Sequence, residues 1–416
     1  MLRTHYLIAG ASHAALAAVH AIRLYDAERA VTVVSRDDSL PYSPTVLPYV
    51  VSGRSQPERV FLRNEAYFEE QKVNYVRGAG LSSLAPERNV ARLESGEEVA
   101  YAKLLVATGA RPAIPPVEGL AQVRYHVLRT LDDALKLRRA LPGARRATVL
   151  GGGLIGMHAA ENLAEAGAEV TIVEAQPQVL PGYFGAEAAS LIERAFARKG
   201  VHVYAGSIAV RAAPAASGCT LAVSGRGTLA ADLLLVAAGV VPATGFLDGS
   251  GIEIDRGVLV DECMRTNVAN IWAAGDVAQA KGFYGSEKVL NGILPEAVEQ
   301  GRIAGMARAE DPALKRYPGG VPINTYTFFG QQALSVGADM APGGGVEVAK
   351  RNGDDRYLKI VLRDGRLQGI FGVNVPFDPG IMWELILRRT DVSAVKSRFL
   401  ESPRETARVL MSRIWR

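Results

Sequence analysis

The sequence predicts an α/β protein with two doubly wound, three-layer dinucleotide-binding (Rossmann-like) domains and a C-terminal α+β interface domain. Two segments, roughly 140 residues apart, follow the order strand, glycine turn, helix, strand. A chain of 416 residues is too long for one hydrophobic core. From about Tyr317 onward, the pattern changes to short strands and then to amphipathic segments.

The composition is typical of a globular protein, with 48% hydrophobic and 22% charged residues. The apolar N-terminus is interpreted as a strand at Tyr6–Ala9, a turn and a helix, because charges from Arg23 onward interrupt it. We find no apolar span of about 18 residues elsewhere and therefore expect a cytoplasmic protein without a membrane segment. The two cysteines, Cys219 and Cys263, lack metal-ligand spacing, which excludes an iron–sulfur cluster or a cysteine zinc site in this chain and predicts no metal.

The net charge of +4 is mild, and aromatic or groove-reading residues that would indicate nucleic-acid binding are not evident. From Ile381 onward, the sequence has eight Lys and Arg residues but only four acids. This excess equals the net charge of the chain. This basic stretch fits a face that docks an acidic protein partner and equally fits a solvated helix.

The second glycine turn carries the stronger nucleotide signal. Gly151, Gly153 and Gly156 form G-x-G-x-x-G between the strand 147–150 and a helix. Such glycines allow a tight turn, a close approach of the pyrophosphate and helix–strand packing. Glu174 lies 18 residues after Gly156, where an acid accepts hydrogen bonds from the adenosine ribose and repels a 2′-phosphate. The predicted NAD(H) residues are Gly151, Gly153, Leu154, Ile155, Gly156, Glu174 and Gly239.

The first glycine turn is degenerate, with Gly10, Ser12 and Ala15 at the three positions and Ser35 where an acid is expected. Alone it fits an ordinary βαβ turn as well as a nucleotide site. Two distant segments favour the nucleotide site: the strand exit Ala107-Thr108-Gly109, and the run that ends in Gly275-Asp276.

Helix signals complete the pattern. Thr130 with Asp133 forms a capping box before an apolar periodicity, and Pro295 in the first turn predicts a helix over Leu294–Ala309.

Four motifs follow one another along the chain: the first glycine turn, Ala107-Thr108-Gly109, Gly275-Asp276 and the helix from Leu294. Together they resemble the pyridine-nucleotide-disulfide-reductase superfamily of FAD/NAD(P)-dependent oxidoreductases over nearly the whole chain. The resemblance implies an FAD domain at 1–115 and 240–320, an NAD domain at 116–239 and an interface domain at 321–416. It implies that Asp276 binds the flavin ribityl chain and that the helix from Leu294 points its positive end at the flavin. The implied FAD residues are Gly10, Ser12, His13, Ala15, Ser35, Arg36, Pro44, Thr45, Thr108, Gly109, Gly275, Asp276, Pro295 and Ala297.

One departure from the superfamily bears on the chemistry. The segment Pro41–Gly53 resembles the stretch that carries a single redox cysteine in one branch, and on that register the cysteine position is Thr45. We therefore expect no thiol–disulfide chemistry and no covalent catalyst. Thr45 and His158 are the candidates that would lie near flavin and nicotinamide, whose reacting atoms must come within about 3.5 Å.

Several residues keep two interpretations. His158 and Leu154 stand where the superfamily often has Glu and Tyr. His158 could orient nicotinamide, carry a proton or simply lie on the helix surface. His13 could touch FAD or face solvent, and Lys288 and Glu296 could be functional or plain surface charges.

Further segments resemble a narrower group, the NADH:acceptor subunits of 2-oxoacid:acceptor oxidoreductases from anaerobic degraders of aromatic compounds. They include 125–138, 156–163 and the terminal MSRIWR. The resemblance implies partner subunits with iron–sulfur clusters and thiamine diphosphate. A free-standing NADH:ferredoxin or rubredoxin-type reductase or NADH oxidase, which could be a homodimer, and a non-enzymatic flavin-loaded scaffold remain as alternatives.

Overall fold

A computed structural model describes residues 1–339 and 345–414 of the chain. The strands are β1 Leu2–Ala9, β2 Val31–Val34, β3 Val73–Val76, β4 Leu81–Ala85, β5 Val90–Leu93, β6 Glu98–Val106, β7 Ala110–Pro112, β8 Arg146–Leu150, β9 Glu169–Glu174, β10 His202–Ala205, β11 Ala209–Pro214, β12 Cys219–Val223, β13 Gly227–Ala231, β14 Leu233–Val236, β15 Val240–Pro242, β16 Val258–Leu259, β17 Ile271–Ala273, β18 Ala278–Lys281, β19 Lys288–Val289, β20 Ile323–Phe328, β21 Gln331–Gly337, β22 Val346–Asn352, β23 Tyr357–Arg363 and β24 Arg366–Val373. The α-helices are α1 His13–Tyr25, α2 Leu47–Val51, α3 Glu65–Glu70, α4 Leu131–Ala140, α5 Leu154–Glu165, α6 Ala186–Ala197, α7 Leu294–Ala309, α8 Pro379–Leu387, α9 Lys396–Glu401 and α10 Pro403–Ile414.

The chain divides into two compact units. The first comprises Met1–Val46, Ser55–Arg111 and Val240–Gly320, and the second comprises Leu47–Arg54, Pro112–Gly239 and the chain from Val321 onward. Within the second unit, the short segment Leu47–Arg54 is held to α5, because the Asn162 amide donates to the Pro48 carbonyl at 2.8 Å and Arg54 pairs with Glu165 at 2.8 Å. The three-domain division expected from the sequence stays a prediction.

The first unit is built on a sheet with strand order β3-β2-β1-β6-β5-β4. Strands β3, β2, β1 and β6 run parallel, and β17 adds a further parallel strand along the C-terminal half of β6. The N-terminal half of β6 instead pairs with β5 in the antiparallel sense. Strand β2 is buried at every position, as expected for a parallel strand covered on both faces.

Helices α1 and α7 pack at unusually close range within this unit, and small residues make that possible. A Cβ atom at Gly301 would lie 2.1 Å from the Ala14 carbonyl oxygen, and one at Gly305 would lie 2.7 Å from the Ala18 carbonyl oxygen. A glycine pair at this four-residue spacing lets the two backbones touch. Side chains at either position would push α7 away from α1.

The C-terminal end of α7 is fixed by a fully buried arginine. Arg308 donates from Nη2 to the carbonyl oxygens of Leu7 at 2.9 Å and Lys103 at 3.0 Å, which belong to β1 and β6. Its guanidinium lies 5.3 Å from the centre of the Tyr6 ring. Burial lowers the pKa of this guanidinium to about 9.

Among its described residues, the second unit contains three sheets. The first, with order β10-β9-β8-β14, is parallel, and α5 and α6 connect β8 to β9 and β9 to β10. The strands β11, β12 and β13 form a small antiparallel sheet. The chain beyond Val321 forms a five-stranded antiparallel sheet with order β20-β21-β24-β23-β22, followed by α8, α9 and α10.

These features confirm the predicted α/β class with parallel dinucleotide-type sheets and a C-terminal α+β segment. The capping box at Thr130 is present, and α7 has the predicted bounds. Across the described residues, none of the helices combines the length and the apolar character needed to cross a membrane.

The contact between α1 and α7 can be tested by adding a methyl group. Gly301→Ala is expected to lower the free energy of unfolding by about 1–3 kcal/mol, because overpacking forces the backbones apart. The matched control is Gly380→Ala on α8, where an added Cβ meets no atom within 4 Å. This control should leave stability unchanged or raise it slightly, as alanine favours helices. Urea unfolding followed by circular dichroism measures both, and equal effects would contradict the packing described.

Candidate nucleotide-binding sites

The first glycine turn follows β1, and only glycine fits at its first position. Gly10 has a φ of +109°, and its N–H donates to the Val34 carbonyl at 2.8 Å. An added Cβ would lie 2.1 Å from the Ala107 carbonyl oxygen. The neighbouring strand is held there because the Ala107 N–H donates to the Ala9 carbonyl at 2.7 Å.

The second turn has the same geometry. Gly151 has a φ of +111°, donates to the Val173 carbonyl at 2.8 Å and would place a Cβ 2.3 Å from the Ala237 carbonyl oxygen. The third glycine, Gly156, is required because its Cβ would lie 1.9 Å from the Gly151 carbonyl oxygen. The corresponding position of the first turn, Ala15, accommodates a methyl group and is buried. The structure therefore contains the predicted strand–turn–helix repeat.

Both turns lead into helices whose N-termini carry no side-chain cap. The N-cap of α1, Ser12, makes no capping bond, and the N-cap of α5, Gly153, has no side chain to make one. Neither helix has an acid in its first turn. The first backbone N–H groups of α1 and α5 and the positive ends of the helix dipoles are therefore available to a phosphate. This arrangement fits the pyrophosphate of a dinucleotide at each turn.

The residue at the end of the second strand differs between the two units. In the second unit, Glu174 is buried, and its carboxylate accepts hydrogen bonds from the N–H groups of Gly152 at 2.6 Å and Gln176 at 2.7 Å. In the first unit, Ser35 is also buried, while Arg36 is exposed and pairs with Glu94 at 2.7 Å. Glu174 is thus anchored at its own glycine turn, as the sequence spacing predicts.

The segment Gly275-Asp276 lies where α1 and α7 meet. A Cβ on Gly275 would come 3.3 Å from Ala14 Cβ and 3.7 Å from Ala297 Cβ, and the Gly275 φ is +80°. Its N–H donates to the side-chain oxygen of Gln300 at 2.9 Å. Asp276, the next residue, therefore lies beside the first turn of α7, which also contains Pro295.

A buried polar network supports that turn and corrects one prediction. Glu296 is 3% exposed and accepts a hydrogen bond from the Tyr317 hydroxyl, which in turn accepts from Gln300 at 3.3 Å. The surface interpretation of Glu296 is therefore wrong, whereas Lys288 is exposed as expected. Burial, followed by the charge of Glu296, raises the pKa of Tyr317 well above its ordinary value.

Three further predicted residues of the first unit have defined partners. The Thr108 hydroxyl donates to the Ala243 carbonyl at 3.0 Å, beside Gly109, whose φ is +68°. His13 Nε2 lies 2.9 Å from Ser43 Oγ, which lies 2.8 Å from Thr45 Oγ1 across Pro44. His13 is thus partly buried and hydrogen-bonded, and both of its interpretations stay predictions.

His158 lies on α5 between two aromatic rings of the second unit. Its ring centre is 4.7 Å from that of Tyr326 and 6.3 Å from that of Tyr49. Burial, with a smaller effect of Arg54, lowers the pKa of His158 from 6.5 to about 4. The interpretation as a plain helix-surface histidine is therefore wrong, and the imidazole is neutral at neutral pH.

The predicted residues separate by unit. All fourteen expected FAD residues belong to the first unit, and all seven expected NAD(H) residues, with His158, belong to the second. The sequence did not single out Ser43, Gln300 or Tyr317, because each becomes notable only through a partner that the fold supplies.

The sequence matches the pyridine nucleotide-disulphide oxidoreductase family over residues 4–303. The chain belongs to this family. It is accordingly an FAD- and NAD(H)-dependent oxidoreductase.

Two members of the family and one solved structure define the similarity. The NADH-dependent phenylglyoxylate dehydrogenase subunit epsilon of Aromatoleum evansii is 56% identical over 416 residues, covering 99% of this chain and 98% of that protein. The anthranilate 1,2-dioxygenase system ferredoxin–NAD(+) reductase component of Burkholderia cepacia is 30% identical over 275 residues, covering 65% and 67%. A ferredoxin reductase from Rhodopseudomonas palustris matches with a TM-score of 0.80 and 26% identity, covering 89% and 91%.

These similarities bear out the narrower resemblance as well. The sequence segments that indicated NADH:acceptor subunits of 2-oxoacid oxidoreductases pointed to the epsilon subunit of phenylglyoxylate dehydrogenase in particular, and the relative from Aromatoleum evansii is such a subunit. The terminal MSRIWR extends beyond the described residues.

The partly buried imidazole of His158 generates a pH prediction. An unfolded histidine takes up a proton near pH 6.5, whereas folded His158 resists protonation until about pH 4. Its contribution to stability is thus complete above pH 6.5 and is lost as the pH falls. Relative to His158→Phe, the natural chain should lose about 2 kcal/mol of unfolding free energy between pH 7.5 and pH 5.

Urea unfolding at both pH values measures this difference, because titrations shared by the two proteins cancel. His202→Phe is the control, since His202 is exposed on β10 in the same unit. A pH-independent difference between the natural chain and His158→Phe would contradict the assignment.

Proposed function

We propose that this chain is the NAD(H)-linked flavoprotein subunit of a 2-oxoacid dehydrogenase complex, passing electrons between iron–sulfur clusters of partner subunits and NAD⁺. The observation that carries the proposal is the pair of matching glycine turns, at Gly10 and Gly151, in a chain 56% identical to a phenylglyoxylate dehydrogenase epsilon subunit. A thiamine diphosphate subunit would then oxidise the 2-oxoacid, phenylglyoxylate in that relative, outside this chain.

The first unit would hold FAD. The N–H groups at the start of α1 would bind the pyrophosphate, Ser35 and Arg36 would lie by the adenosine, and Asp276 would accept hydrogen bonds from the ribityl hydroxyls. The positive end of α7 would face the part of the flavin that becomes negative on reduction. Bound flavin exchanges a hydride with nicotinamide and single electrons with iron–sulfur clusters.

The second unit would hold NAD(H). Gly151 and Gly153 would admit the pyrophosphate to the N-terminus of α5, and Glu174 would accept hydrogen bonds from the adenosine ribose. Because Glu174 is buried at the turn with no arginine in the following residues, a 2′-phosphate would meet an unbalanced negative charge. Discrimination in favour of NADH over NADPH is therefore part of the proposal.

The electrons would leave without a protein thiol. Thr45 stands where a redox cysteine would be expected from the resemblance, and Cys219 is buried in β12 of the other unit. The basic C-terminal stretch gives little support to a docking face, because Arg388 pairs with Glu384 and Lys396 with Glu347. Its last arginine, Arg416, lies outside the described residues.

A second candidate is a free-standing reductase for an iron–sulfur protein, with a homodimer as one arrangement. The similarity to a ferredoxin–NAD(+) reductase component over 65% of the chain supports it. A scaffold with a structural flavin would bind FAD without reacting with NADH.

Spectroscopy of the purified chain separates these functions. We expect a flavin absorbance that NADH bleaches under anaerobic conditions, with NADPH much slower and oxygen consumption low. Flavin that NADH cannot reduce would contradict both enzyme functions, and rapid oxygen consumption would favour the oxidase. Co-purification from the native host with iron–sulfur and thiamine diphosphate subunits would support the complex, whereas isolation as a lone homodimer would favour the free-standing reductase.

The matched variants for this experiment are two glycines of the first unit. Gly10→Ala is expected to yield colourless protein, because its Cβ would lie 2.1 Å from a carbonyl oxygen at a φ of +109°. Gly245→Ala should keep its flavin, because an added Cβ there meets nothing within 4 Å.

Glu174→Gln tests the nucleotide preference. The amide oxygen can still accept one backbone hydrogen bond, but the negative charge is gone. NADH binding should weaken roughly ten- to a hundredfold, the usual value of a charged hydrogen bond, while NADPH binding changes less or improves. Titration of each nucleotide measures the ratio. Glu169→Gln, at the exposed start of β9, is the control, and an unchanged ratio in Glu174→Gln would refute the role of Glu174.

A further inference from the structure

Three side chains of the first unit form a continuous hydrogen-bonded chain. His13 Nε2 lies 2.9 Å from Ser43 Oγ, and Ser43 Oγ lies 2.8 Å from Thr45 Oγ1. Serine and threonine hydroxyls each donate one hydrogen bond and accept others, so the direction of both bonds can reverse together. An imidazole at one end makes the chain able to pass a proton.

A relay requires accessible ends and a shielded middle, and the exposures of these three side chains follow that pattern. Ser43 in the middle is 5% exposed, His13 is partly buried and Thr45 is exposed. Burial lowers the pKa of His13, and the carboxylate of Asp276, the charged group that faces it, opposes this shift. A neutral imidazole has one nitrogen that donates and one that accepts, so it can take a proton on one side and release it on the other.

The proposed function creates a need for such a path. Reduction of NAD⁺ to NADH by two one-electron donors consumes one proton, because two electrons and one proton together make the transferred hydride. In the reverse direction, NADH delivers a hydride, two electrons leave singly to an acceptor and one proton must be released. The nicotinamide step itself exchanges no proton with water, so the proton moves only in the one-electron half of the cycle.

We propose that His13, Ser43 and Thr45 are the relay that moves this proton between the flavin and solvent. The proposal rests on the proposed function and goes beyond it, because it assigns the proton of the one-electron step to specific groups. Thr45 would exchange the proton with the flavin, while Ser43 and His13 act through it. When electrons leave, Thr45 accepts the proton as its own hydroxyl proton passes to Ser43, the Ser43 proton passes to His13 and His13 releases one proton.

A purely structural role makes a different prediction. The same bonds tie the glycine turn to the segment after Tyr42, and a tie of this kind would affect flavin retention or both halves of the catalytic cycle. A relay affects one half alone, which allows the two roles to be separated by measuring the halves independently.

The experiment uses FAD-loaded full-length protein in a stopped-flow instrument. Flavin bleaching by NADH is recorded first, and reoxidation of the reduced protein by ferricyanide, a one-electron acceptor, is recorded second, in H₂O and D₂O. Thr45→Val, Ser43→Ala and His13→Gln remove the members of the chain one at a time. His20→Gln is the matched control, because His20 lies on the same helix and is exposed.

In each of the three variants, reoxidation should slow about tenfold or more relative to bleaching by NADH, the lower range of proton-transfer effects. The solvent isotope effect on reoxidation should increase in the variants and remain unchanged in His20→Gln. Reoxidation at the natural rate in Thr45→Val and Ser43→Ala would overturn the relay, as would equal slowing of both halves. Failure of NADH to bleach the natural protein would instead overturn the proposed function.

A readout independent of turnover keeps the proposal testable if a variant loses flavin. In protein with labelled histidine, the Nε2 resonance of His13 should shift in Ser43→Ala and, through Ser43, in Thr45→Val. It should stay in place in His20→Gln. An Nε2 resonance that does not respond to Ser43→Ala would show that the chain does not exist in solution and would overturn the relay.

Discussion

A central constraint in this protein is the close approach of a glycine to the carbonyl oxygen of the neighbouring strand. At Gly10 and again at Gly151, no side chain fits, since a Cβ would lie only 2.1 or 2.3 Å from that oxygen. This contact brings α1 and α5 onto the edges of their sheets. The uncapped helix N-termini, and with them both candidate nucleotide sites, depend on it.

The pattern within a single strand–turn–helix unit could be predicted from the sequence, since the required residues are neighbours in the chain. Gly151 and Glu174 illustrate this, because the anchoring of the carboxylate at Gly152 follows from the ordinary geometry of a βαβ unit. The degenerate turn at Gly10 needed distant support in the sequence, yet its backbone hydrogen bonds match those of the second turn. A backbone site tolerates Ser12 and Ala15 as long as the first glycine remains.

Burial of charged and polar side chains could not be predicted in the same way, because it depends on partners that are far along the chain. Glu296 is covered through Tyr317, 21 residues later, and His158 is covered by Tyr326, more than a hundred residues later. Neither partner has a sequence spacing that identifies it. Local patterns therefore located both residues but did not decide between a surface and a buried position.

The buried arginine at the end of α7 has a mechanical consequence for the opposite end. Helix α7 has 16 residues and is about 24 Å long, and Arg308 fastens it to two central strands at one end while Gln300 fastens it to Gly275 nearer the other. A rod held at two points can neither slide nor turn about its axis. The electric field at its N-terminus is thus set by the position of the sheet, and thermal motion of the surrounding loops has little leverage over it.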